Sequence, residues 1–99
     1  MSDRELLEAA AKAAGYKRTR FHENGLFQVH LWHEGYPADW EYWNPLIDIG
    51  DAARLLLALK MRVDYVGDQP CIDGVLQSGM TAEESFCRAT VRAAAALAR

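Results

Sequence analysis

The chain has 99 residues, with 11 Lys and Arg against 14 Asp and Glu, a formal charge of −3 at neutral pH. That length fits one domain, residues 1–99, and area scaling has about 65% of the extended chain's surface buried on folding, enough for a core without a metal or disulfide staple. At 51% apolar and 25% charged the composition is globular rather than disordered, and the small negative charge excludes a strongly basic nucleic-acid binder.

The first element is a helix over residues 3–14. Ser2-Asp3-Arg4-Glu5 is a capping box, Leu6, Leu7, Ala10, Ala13 and Ala14 recur along one face, and Gly15 stands where a helix ends in the left-handed conformation. Asn24-Gly25 then predicts a hairpin with a type I′ turn. On its far side Phe27, Val29 and Leu31 alternate with Gln28 and His30, the period of a half-buried strand. On its near side residues 16–22 carry Lys17, Arg18 and Arg20, which suits an edge.

Residues 33–47 read as a long irregular connection with Pro37 and Pro45. Asp48 or Asp51 can then cap a second helix, whose stripe of Ala52, Leu55, Leu56 and Leu59 is widened by Leu57 and Ala58. A stripe that wide is buried on two sides, by the chain itself or by a partner. Residues 62–66 and 71–76 are short strand candidates separated by the turn cluster Gly67-Asp68-Gln69-Pro70. Thr81-Ala82-Glu83-Glu84 opens a last helix through Ala98, with Glu84, Arg88 and Arg92 as a solvated ladder at i, i+4 and i+8. The order α-β-β-α-β-β-α predicts an α+β domain, a small mostly antiparallel sheet of about four strands sandwiched by about three helices.

Charge and aromatic residues are unevenly spread. Residues 23–51 hold six acids and no Lys or Arg, so the remainder sums to +3. Within that acidic stretch Trp32, Tyr36, Trp40, Tyr42 and Trp43 make up five of the seven Trp and Tyr residues. The loop over residues 32–43 can present aromatic anchors framed by carboxylates, with Trp32, His33, Tyr36, Asp39 and Trp40 as its binding residues and a basic surface as the electrostatically favoured partner. The same aromatic residues can instead serve to hold a long loop against a small core.

Motifs for chemistry are sparse. His22, His30 and His33 lack the companion ligands a metal centre needs, Ser78 lacks a nucleophile elbow, and no glycine-rich phosphate loop is present. No cofactor and no metal are expected. Cys71 and Cys87 are too few for a disulfide framework and read as inert core thiols. Residues 1–7 have no secretory pattern, and apolar runs such as residues 55–59 are too short for a membrane span, so a cytoplasmic protein without membrane or nucleic-acid partners is expected.

Trp43-Asn44-Pro45-Leu46, followed by Gly50-Asp51-Ala52-Ala53-Arg54-Leu55, resembles the W-N-P-L…G-D-A-x-R-L stretch of the phage ABA sandwich domain family, small phage and prophage proteins. Arg88-Ala89-Thr90-Val91-Arg92-Ala93-Ala94-Ala95 is similar to that family's R-A-x-V-R-A-A-A helix, and residues 3–7 and 10–15 look like its first helix. The resemblance implies a sheet layered between helices, in a phage or prophage protein acting in the cytoplasm of a bacterial host. It implies no reaction. Trp43, Asn44, Pro45 and Asp51 have scaffold roles of their own: a plug, a loop acceptor, a brake on early helix formation and an acceptor where the helix starts. The expected function is a non-catalytic accessory module that binds a host or phage protein through the aromatic acidic loop. The alternatives are a structural homo-oligomer, such as a homodimer, with a packing-only loop, and a minor enzyme using a carboxylate or histidine near Trp40.

Overall fold

The computed structural model describes residues 2–23, 25–31, 39–67, 69–76 and 81–98, with Leu31 and Asp39 described in backbone only. Helix α1 (Asp3–Ala13) is followed by β1 (Thr19–Phe21), β2 (Phe27–Leu31) and β3 (Asp39–Tyr42). Helix α2 (Ile49–Ala58) precedes β4 (Val63–Val66), β5 (Gln69–Ile72) and β6 (Val75–Leu76), and α3 (Ala82–Leu97) closes the fold. The class is α+β with three helices, as expected. The strands differ from the expectation of about four in one sheet: among the described residues six strands form two antiparallel sheets, ordered β1-β2-β3 and β4-β5-β6.

Both extra strands have local causes. In the run read as an irregular connection, Asp39-Trp40-Glu41-Tyr42 alternates acid and aromatic, which is strand period, and it pairs with β2 at Gln28↔Tyr42, Val29↔Glu41, His30↔Trp40 and Leu31↔Asp39. The candidate strand at 71–76 is broken by Asp73 and Gly74, both at positive φ (48° and 81°), the requirement of a two-residue I′ turn, so Ile72 faces Val75 across a hairpin. The first hairpin departs from its predicted turn. The Gly25 N–H donates to the His22 carbonyl at 2.9 Å, so Gly25 closes the turn rather than sitting at its centre; Asn24 lies outside the described residues.

The helix ends follow the capping rules. Ser2 Oγ accepts from the Glu5 backbone N–H at 3.2 Å and Thr81 Oγ1 from that of Glu84 at 3.2 Å. Of the two candidate caps for α2, Asp48 does the work, its Oδ1 accepting from the N–H groups of Gly50 (2.8 Å) and Asp51 (3.1 Å). After α1, Gly15 at φ 94° lets Gly15 and Tyr16 donate back to Lys12 and Ala11, the Schellman pattern. Arg88, the middle residue of the expected ladder on α3, pairs with Asp3 of α1 at 3.1 Å, because the two helices pack side by side.

Helix α3 is the hub, packing against α1, α2, β5 and β6. Ala89, Ala93, Ala94 and Ala95 are buried and small enough to let Leu6, Leu7, Ala10 and Ala11 of α1 share one cluster with them. The first sheet joins this core through Phe27 and Val29 and through Trp43 just past β3. Helix α2 buries only Asp51, Ala52 and Leu55, leaving Ile49 and Leu57 exposed. Among the described residues no helix is long and apolar enough to cross a membrane.

Candidate functional site

Strand β3 separates two surfaces, because successive side chains leave a strand on opposite faces. Trp40 and Tyr42 point to the outer face of the first sheet, together with His30 and Gln28 of β2 and Arg20 of β1, their cross-strand neighbours. The Trp40 ring lies 4.8 Å from that of His30, and the Arg20 guanidinium sits 3.7 Å from the Trp40 ring centre. Both contacts fix a side chain that would otherwise be free, the Arg20 contact through the attraction of a cation for an aromatic face. Tyr42 is 61% exposed beside them. At the turn end, His22 Nε2 donates to Gln28 Oε1 at 2.7 Å.

On the other side of the strand, Glu41 pairs in register with the buried Val29 but is itself exposed. It borders an open cleft of about 290 Å³ between the end of α1, β3 and α2. Tyr16, Trp43 and Leu55 give the cleft its apolar walls, and Glu41, Asp51 and Arg54 its charges. The Schellman turn places Tyr16, whose ring meets Trp43 edge-on at 5.7 Å. Trp43, only 7% exposed, also packs on Phe27 at 6.1 Å. The buried Asp51 accepts from the Asn44 backbone N–H at 3.0 Å and from Arg54 Nη2 at 2.5 Å. Burial raises the Tyr16 phenol above its ordinary value, the charges of Glu41 and Asp51 raise it further, and Arg54 opposes them.

The residues singled out in the sequence separate accordingly. Trp32, His33 and Tyr36 lie outside the described residues, and Asp39 is placed by its backbone pairing with Leu31. Trp40 is on the outer face. Trp43, Asn44, Pro45 and Asp51 form the β3–α2 junction, where Pro45 is fully buried and Asn44 Oδ1 accepts from the Leu46 N–H at 3.2 Å. Arg20, His30 and Tyr42 join Trp40, and Tyr16, Glu41 and Arg54 line the cleft; none of the six is among the binding residues expected from the sequence. The acid–aromatic alternation of residues 39–42 held the signal for Glu41 and Tyr42. Tyr16 and Arg54 come from distant elements and carried none. Among the described residues no group of three His, Cys, Asp or Glu side chains is placed to hold a metal ion. No protein-family model, curated protein or solved structure matches the chain.

Proposed function

We propose that the chain is a small non-catalytic protein-binding module, of the phage accessory kind its Trp43–Leu46 and Gly50–Leu55 segments resemble, and that its partner is a host or phage protein met in the bacterial cytoplasm. The observation that carries this reading is the outer face of the first sheet, where Trp40 is held between Arg20 and His30 with Tyr42 exposed beside it. Trp, Tyr and Arg are the residue types that dominate binding hot spots, and rings held in place before binding lose less entropy on contact. Residues 32–38, with Trp32, His33 and Tyr36, connect β2 to β3 in the chain and lie outside the described residues.

The test is the double substitution Trp40→Ala with Tyr42→Ala. Proteins captured from a host lysate by the wild-type chain are expected to fall at least about tenfold with the variant, while circular dichroism shows an unchanged fold. Undiminished capture by a folded variant removes this surface from the reading.

A structural homo-oligomer is the second reading, favoured by apolar groups that the fold leaves uncovered. Ile47 is 81% and Leu57 71% exposed around α2, and every residue of the edge strand β4 is exposed, including Val63, Tyr65 and Val66. Sedimentation at two widely separated concentrations discriminates: a monomer at both ends the oligomer reading.

A further inference from the structure

The cleft on the side of β3 away from Trp40 is lined by two carboxylates and one guanidinium. Glu41 pairs in register with the buried Val29 but is itself exposed, and its side chain lines the cleft. Among the described residues it makes no hydrogen bond or ion pair. Asp51, by contrast, is satisfied twice, by the Asn44 N–H and by Arg54, and both bonds serve the β3–α2 junction. The cleft lining therefore sums to −1: two carboxylates, one of them neutralised by Arg54, and one left over.

We propose that this cleft receives one basic side chain, a Lys or Arg presented by the bound protein, with its charge against Glu41 and its alkyl stem between Tyr16 and Leu55. Three features specify that occupant. Its charge must be a single positive one, to meet the residual −1. Its body must be apolar and slender, because the walls are the Tyr16 and Trp43 rings and Leu55, and a cation beside aromatic rings gains further attraction. Its size must be that of a side chain, since about 290 Å³ falls at the lower limit of small-molecule clefts. The raised Tyr16 phenol agrees, as burial and the neighbouring negative charges both hold it neutral. The source of the side chain rests on the protein-binding reading; the chemistry of the cleft does not.

The experiment uses small probes, so it is independent of whether the outer face binds anything. The full-length chain is titrated with n-butylammonium, n-propylguanidinium, capped Gly-Lys-Gly and Gly-Arg-Gly peptides, n-butanol and butyrate at constant ionic strength, following the Trp43 indole N–H by NMR. Saturable shifts are expected with the cations and with at least one peptide, at millimolar strength, and none with the alcohol or the anion. Glu41→Gln is expected to weaken binding about tenfold, and Arg54→Gln, which frees Asp51, to tighten it severalfold. That opposition of sign is not produced by a loss of stability, and circular dichroism checks the fold of both variants. Absence of saturation, or equal binding by wild type and Glu41→Gln, overturns the cation site. Binding of the free amines without either peptide overturns the side-chain assignment.

Discussion

Two hydroxyls on α3 lie about a turn apart and meet opposite fates. Thr90 is fully buried and its Oγ1 donates to the Phe86 carbonyl at 2.7 Å, whereas Ser85 Oγ is fully buried without a partner among the described residues. A buried polar group left unsatisfied costs about 1–3 kcal/mol, and Ala is also the better helix former. Ser85→Ala should therefore stabilise the protein by about 1 kcal/mol, read as a higher urea midpoint at unchanged slope, while Thr90→Ala should not. Tyr16 sets a second expectation at this scale. Its folded pKa lies above the ordinary 10.0, so above pH 10 the unfolded chain loses the proton first. The Tyr16 contribution is intact below pH 10 and is lost as pH rises through the folded value. Thermal scans from pH 8 to 11 should show a steeper alkaline decline for wild type than for Tyr16→Phe, and parallel curves would contradict the assignment. Burial also raises the Cys87 thiol, with smaller contributions from Asp48 and Glu83, which suits an unreactive core position.

Elements whose signals are local could be read from the chain alone. Ser2 with Glu5, Thr81 with Glu84 and Asp48 ahead of α2 mark helix starts through hydrogen bonds spanning three residues or fewer, and all three are made. Strand β3 was legible in principle, since its acids and aromatic residues alternate, but Pro37 and Pro45 drew residues 33–47 into a single connection. The cleft was not legible, because Tyr16, Glu41 and Arg54 sit on three elements joined only by tertiary packing. One helix end defied the usual residue choice. After α2, Lys60 takes φ 53° and completes a second Schellman turn, Lys60 donating to Leu57 and Met61 to Leu56. A residue with a Cβ pays a steric cost there that glycine avoids. Lys60→Gly should raise stability by about 0.5–1 kcal/mol, several degrees in melting temperature. Gly15→Ala at the equivalent position after α1 should lower it, although a Cβ there meets nothing within 4 Å, so the loss is purely conformational.

At the scale of the whole molecule, the two sheets share no strand pairing among the described residues, and α3 is what couples them. It touches β5 and β6 directly and reaches the first sheet through the cluster that holds Phe27, Val29 and Trp43 with α1. The close approach of α1 and α3 depends on small side chains, since Ala10, Ala11, Ala89 and Ala94 are all fully buried. Enlarging one of them forces the helices apart or the side chain off its rotamer, at about 1–3 kcal/mol. Ala94→Leu should lose that much, and Ala96→Leu, on the exposed side of the same helix, should stay within about 0.5 kcal/mol of wild type. The loss should also be seen equally by two probes. Tryptophan fluorescence reports the first sheet and its junction, where Trp40 and Trp43 lie, and far-UV circular dichroism reports the helices. If α3 makes one cooperative unit of both sheets, the two unfolding curves of Ala94→Leu move together to a lower midpoint. A fluorescence transition that stays in place while the helical signal shifts would mean that the first sheet holds Trp43 without α3, and the coupling assigned to the hub would be wrong.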